Sequence, residues 1–397
     1  MATHFPPLII DYIAIHNDKN LEAKEEGMKT WPIFMIFAIG IWCFGATPSD
    51  ARRIPLTSEQ KTQLENAQTV LVEILALTEK GGFNTQPLVA TVKERLEEAG
   101  YTVTTDPSQP HDVEVKVKCE EQKALTGTSP SGGDVDLADA PDRLWKGPAC
   151  LLTYFLQQND FQWKKEVRTT FADARQAAQQ AQVEDAGTYA MDHLNQRLAE
   201  YDFPVLLSAE WGQINRLLTL LEDPNTPKLR KVKILSVLSD VHADEALPQL
   251  TKLLESTDLQ HETINALSGA GSDSIPLLID LFQTSRQSRI RAEAAKALGN
   301  IAGRTGDPRT IPPLVQYVTE VLPQLKNPED IDFPLLTEVV WAIGKLRWGP
   351  ALKPMSELQD KVWLIHDNSK EMAELREAAS WTYKAIALQD AAMLQTY

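Results

Sequence analysis

The chain has 397 residues, 43% of them hydrophobic and 24% charged, a globular composition that excludes a disordered, collagenous or multi-span membrane protein. Its formal net charge of −16 argues against a general DNA or RNA binder, because an acidic surface is repelled by the phosphate backbone. The length allows two or three domains with real cores, and the cysteines, three in all, are too few for a disulfide scaffold.

The first feature along the chain is the apolar run Trp31–Ala46, 16 residues long. A bilayer span needs about 20. Met28-Lys29 precedes the run and Ser49-Asp50-Ala51 follows it. A positive start, a short apolar middle and a small-residue exit make the layout of a secretory signal. Residues 1–51 are therefore predicted to be an upstream extension plus a signal peptide, with Met28 as the working start. Export places the body in the periplasm or outside the cell. The alternative is an uncleaved segment that anchors the protein to the membrane. Cys43 follows the bulky Trp42, which disfavours lipidation. Cleavage leaves Cys119 and Cys150, and an even number in an exported chain points to one disulfide, with two buried free thiols as the alternative.

Residues 57–205 read as a small α/β domain. Thr69–Ala76 is β-branched and apolar, Gln86–Ala99 carries helical spacing, and Gly100 closes it. Tyr101–Thr105 is strand-like. Asp112–Glu120 alternates, with Val113, Val115, Val117 and Cys119 facing one way, which predicts an antiparallel strand with one wet side. Lys123–Pro148 reads as a long hairpin loop. Its Asp134, Asp136, Asp139 and Asp142 lack the calcium-loop spacing, so a solvated loop is preferred to a cation site. Ala149–Leu156 and Trp163–Thr169 are the next strands, and Phe171–Glu200 is predicted as one long helix. This order resembles small α/β modules of exported bacterial proteins, such as the N-terminal domain of periplasmic TolB-like proteins. The resemblance implies docking or assembly without chemistry.

Residues 211–390 repeat. The segments starting at Ala246, Ser274, Thr310 and Ala351 align, with prolines Pro248, Pro276 and Pro312 suited to a first helical turn. Second helices follow: Leu229–Val241, His261–Ala270, Ile290–Ala302, Leu335–Arg347 and Leu375–Leu388. Small residues such as Ala294, Ala297, Ala342, Gly344 and Ala378 recur where helices approach closely, and Gly299, Gly303 and Gly349 are expected to end them. The fourth copy has a longer first helix and inter-helix segment, Val318–Phe333. One such pair cannot bury its own apolar face, so the copies, about five, must stack. Arg291-Ala-Glu-Ala-Ala-Lys-Ala-Leu-Gly-Asn-Ile-Ala, running on to Gly306-Asp-Pro-Arg-Thr-Ile-Pro-Pro-Leu, is similar to HEAT repeats of the short bacterial type found in phycobilisome lyase-like proteins. The fold class implied is an α+β N-terminal domain followed by an all-α HEAT-type superhelical solenoid.

That resemblance implies a scaffold binding another protein, of unspecified identity, through its second helices. Arg230, Arg291 and Arg376 fall at matching places and are the candidate binding residues, although in such repeats this arginine usually ties loops together. Trp341, Trp348, Trp363 and Trp381 crowd the last two copies and are expected to fill core, with an exposed aromatic anchor as the alternative. No HExxH, CxxC, phosphate loop or GxSxG occurs, and the histidines are scattered. The chain is therefore read as a non-enzymatic exported scaffold, with no catalytic residue, metal, cofactor or nucleic-acid partner. Contact with a membrane follows only if Trp31–Ala46 is retained. The alternatives are a HEAT-like lyase or nucleic-acid glycosylase, or a membrane-anchored structural protein.

Overall fold

The computed structural model describes residues 56–125, 145–156, 159–256 and 258–394. The expected signal segment, with Met28, Trp31–Ala46 and Cys43, lies outside the described residues, as do Asp134, Asp136, Asp139 and Asp142.

The first part runs α1 (Ser58–Glu65), β1 (Thr69–Thr78), β2 (Gly81–Gly82), α2 (Gln86–Glu98), β3 (Thr102–Thr104), β4 (Val113–Leu125), β5 (Trp145–Leu156) and β6 (Asn159–Arg168). They build a six-stranded sheet of order β2-β1-β4-β5-β6, with β3 paired to β1. Val113, Val115, Val117 and Cys119 are buried, as the alternation requires. The strand departs from the predicted purely antiparallel one: β4 is antiparallel to β5 and parallel to β1. The reason is the α2 crossover, which returns the chain to the starting edge. The buried face is covered by α2 and by a later helix, and the opposite face carries the ion pairs Lys116–Glu73 and Lys116–Glu114, both at 3.0 Å.

Cys119 and Cys150 are directly opposed on β4 and β5 and are joined by a disulfide, with both residues fully buried. The bond closes a loop of sequence separation 31. Reducing it is expected to lower the unfolding free energy by about 4 kcal/mol in the chain-entropy account. Denaturant melts with and without reductant measure this.

The helix predicted over Phe171–Glu200 is two helices, α3 (Ala174–Gln180) and α4 (Ala186–Glu200). Gln182 takes a left-handed φ of 59°, and Asp185 restarts the helix by accepting from the Gly187 and Thr188 amides. Gly187 lies so close to Thr78 that a Cβ there would stand 2.9 Å from it. The break thus lets α4 settle on the sheet.

The chain continues as α5 (Phe203–Glu210), α6 (Ile214–Glu222), α7 (Lys228–Asp240), α8 (Leu247–Leu253), α9 (Gln260–Ala266), α10 (Ile275–Thr284), α11 (Ser288–Thr305), α12 (Pro312–Val321), α13 (Phe333–Leu346), α14 (Leu352–Leu364) and α15 (Lys370–Leu394). From α6 onward these form helix pairs. Prolines sit in the first turn of α8, α10 and α12, where the missing N–H costs nothing. The second helices pack in the order α7, α9, α11, α13, α15. Gly299 and Gly303 do not end α11 as expected. They lie inside it, and Gly306 in the left-handed conformation ends it. Gly299 instead marks a close approach, since a Cβ there would stand 2.6 Å from the Ala342 backbone. Likewise Arg347, rather than Gly349, takes the left-handed cap of α13. The fourth copy's extra length is all in the connection, because α10 and α12 both have 10 residues.

One apolar core runs from Leu64 to Ile386, so sheet and helix pairs share it. The seam is polar as well as apolar. The buried Tyr101 hydroxyl lies 2.8 Å from both Ser208 Oγ and Gln213 Oε1, and burial pushes its phenol up to about 12. Gln213 Nε2 donates to the Leu64 and Ala67 carbonyls, at 2.7 and 2.9 Å. Trp211 stands edge-on between Tyr101 and Tyr154, with centroids 5.5 and 5.6 Å away. Every group here joins the sheet part to α5 or α6.

Candidate functional site

Packing second helix on second helix uses one face of each and leaves another to solvent. In α11 the solvent stripe is Glu293, Lys296 and Asn300. In α13 it is Glu338, Trp341 and Lys345, and in α15 it is Glu374, Glu377, Trp381, Lys384 and Leu388. The spacing of three and four is that of a single helical face. Small residues on the neighbouring face, Gly299, Ala342 and Gly344 among them, let the helices close up, which brings the three stripes side by side. Trp341 and Trp381, on different helices, have ring centroids 5.2 Å apart. Lys345 Nζ donates to Asn300 Oδ1 across α11 and α13.

Burial raises the Glu338 carboxyl above its ordinary value. Lys296 and Lys345 oppose the shift, while Glu293 on α11 and Glu374 on α15 add to it. A carboxyl whose folded value is raised contributes stability below its unfolded value and loses it as pH rises through the folded one. Glu338→Gln is therefore expected to raise the melting temperature at pH 7 and to flatten its decline between acid and neutral pH. Calorimetry of both proteins across that range reads the difference.

The expected arginines lie elsewhere. Arg230 is buried, with Nε 3.1 Å from both carboxylate oxygens of Asp202 and Nη2 2.8 Å from Glu98. Arg291 Nε donates to the Phe282 carbonyl at 2.8 Å, and its guanidinium lies over the Phe282 and Tyr317 rings. Arg376 donates to the carbonyls of Val362, Ile365 and Asp367. Each ties a second helix to preceding structure, and the three do not come together. The tryptophans divide. Trp341 and Trp348 are half-buried, packing against the core on one side only, whereas Trp363 is 61% exposed and Trp381 38% exposed. Trp363 lies in the last turn of α14, where Arg376 covers one side of its ring at 5.3 Å. Trp381 packs one part of its ring onto Gly344, where a Cβ would stand 2.3 Å from it, and leaves the rest to solvent.

A second concavity, an open cleft of about 840 Å³, lies beside the seam. Glu65, Glu97, Asp223 and Glu245 line it, and the guanidinium of its Arg216 is engaged by Gln213, Ala99 and Gln68. Its charge is wrong for a phosphate ligand. Among the described residues no group of three or more His, Cys, Asp or Glu is placed to hold a metal, and no helix is long and apolar enough to cross a membrane.

An α/β sheet unit followed by stacked helix pairs defines a helical-repeat protein, and its last second helices carry an exposed stripe that mixes tryptophan with charge. Residues 247–326 match the HEAT-repeat family. That stretch runs from α8 through α12 and contains the Arg291–Leu314 segment whose pattern carried the resemblance. No curated protein matches the chain.

Proposed function

We propose that the protein is an exported, non-enzymatic scaffold that binds another protein on the second-helix stripe of its last three helix pairs. The observation that carries this is the stripe itself. Tryptophan at 38% exposure and leucine at 71% sit on one face beside charged residues that make no ion pair among the described residues, and exposed aromatic anchors ringed by polar groups are the usual makings of a protein contact. HEAT repeats generally mediate protein–protein interaction, which agrees. Export draws its support from the signal-like Trp31–Ala46 and from the Cys119–Cys150 bond, since disulfides persist in oxidising compartments. The acidic charge argues against the glycosylase alternative, which needs a basic groove.

The test compares proteins recovered from the host by the wild-type chain and by a Trp381→Ser, Leu388→Ser variant of unchanged circular dichroism. Recovery of a discrete protein by the wild type, lost in the variant, is expected. Identical recovery by both contradicts the reading.

A further inference from the structure

The stripe is graded along the helix direction. Glu293, Glu338 and Glu374 come from three successive second helices, and Glu377 adds a fourth carboxylate beside them. About one turn on stand Trp341 and Trp381. Beyond these come Lys345, Lys384 and the 71% exposed Leu388. Among the described residues no side-chain hydrogen bond or ion pair joins any of the four glutamates to a cation, whereas Lys345 is held by Asn300. Lys296, level with the tryptophans, and Lys345 act on Glu338 only through space, so the face sets carboxylates with no bonded cation one turn from an aromatic surface.

We propose that this face seats an amphipathic protein segment in which a lysine or arginine stands beside large apolar side chains. The cation lies against Glu338 and Glu374, and the apolar groups lie on the Trp341–Trp381 pair and Leu388. This rests on the scaffold reading and adds the partner's chemistry. A partner cation gives Glu338 the charge-assisted hydrogen bonds it lacks, and the tryptophan rings favour cationic and apolar neighbours alike. An acidic segment meets four carboxylates at the first row and is repelled. An anionic lipid surface needs clustered cations, but Lys296, Lys345 and Lys384 are one to a helix and outnumbered by the four carboxylates.

The experiment titrates the full chain with fluorescein-labelled peptides and reads fluorescence anisotropy. One peptide is a Leu/Lys amphipathic helix, the second replaces Lys by Glu, and the third replaces Leu by Ser. Binding of the Leu/Lys peptide alone is expected, weakened about tenfold or more in Glu338→Gln, Glu374→Gln, a change of about 1.4 kcal/mol or more. These substitutions remove like charges and leave the packing intact, so folding is not at stake. Three results overturn the proposal: equal binding of the Leu/Glu peptide, equal binding of the Ser/Lys peptide, or indifference of the Leu/Lys peptide to the double variant. A natural partner lost in Trp381→Ser, Leu388→Ser but retained in the Glu→Gln pair overturns the cationic occupant and leaves the scaffold reading standing.

Discussion

Gly269→Ala is expected to cost about 4 kcal/mol of unfolding free energy, at the upper end of what overpacking does. Gly269 lies just past α9, where the end of that helix rests on the end of α7. Its backbone conformation is an ordinary one, so the cost is purely steric. A Cβ there would fall inside the Leu238 carbonyl oxygen and stand 2.9 Å from its carbon. Both atoms are backbone and cannot swing aside. The junction is further pinned. The Ala243 amide donates to the Gly269 carbonyl at 3.0 Å, Ser268 Oγ to the Ser239 carbonyl at 3.3 Å, and Arg304 from α11 donates to the carbonyls of both serines. Relief therefore requires the second helix pair to lift off the first. Denaturant unfolding reads the loss as a lower midpoint. Gly303→Ala serves as the control, because a Cβ there stays at 3.7 Å from its nearest neighbour, Lys345, and the midpoint is expected to hold or rise.

Arg230→Ala is expected to cost about 3–4 kcal/mol, the penalty for removing one member of a buried ion network. Arg230 and Arg95 alternate with Glu98 and Asp202. Arg95 Nη1 reaches Glu98 at 2.6 Å and its Nη2 reaches Asp202 at 2.8 Å. The side chains of Arg230 and Asp202 are 8% and 13% exposed, so water replaces the lost guanidinium poorly at Asp202, while Glu98, 43% exposed, stays hydrated. Arg95 remains and keeps the cost from being larger. Lysine at 230 is expected to restore little, since one ammonium cannot serve two carboxylates in this fork. Burial works to raise the Glu98 carboxyl, yet Arg230 and Arg95 outweigh it and hold the group below its ordinary value. The stability this contributes is present above the unfolded value and is lost as pH falls through the folded one. The gap between wild type and variant should accordingly narrow in acid. The change also discriminates between roles: a residue that ties α7 to α2 loses stability when truncated, while one that only contacts a partner does not.

Much of this was legible in the sequence. The prolines at 248, 276 and 312 marked first helices, and the alternation over Val113–Cys119 marked a half-wet strand whose inward cysteine met Cys150. What was missed follows from chemistry that local pattern does not carry. The first helix is signalled by the Thr57–Gln60 capping box, with both its bonds present, but the segment is polar and buries Leu64 alone, so it has no apolar stripe. Parallel pairing of β1 with β4 depends on the crossover and is invisible in either strand. The candidate arginines Arg230, Arg291 and Arg376 bond to carboxylates and carbonyls of their own fold. The exposed stripe was readable as the polar complement of the alanine-rich face, at Glu293, Lys296, Asn300 and again at Glu338, Trp341, Lys345. It carries no motif, and only the neighbouring helices show that three such stripes adjoin.

The central claim, that the second-helix stripe is where a partner docks, is tested most directly by photo-crosslinking in the native host. A photoreactive residue is placed in turn at Lys296, Lys345 and Lys384 on the stripe, and at Gln316 and Glu320 on the first helix α12. The account predicts an adduct of the same discrete mass from the stripe positions and none from α12. Adducts from α12 alone, or none from the stripe in cells that make the protein, would contradict it.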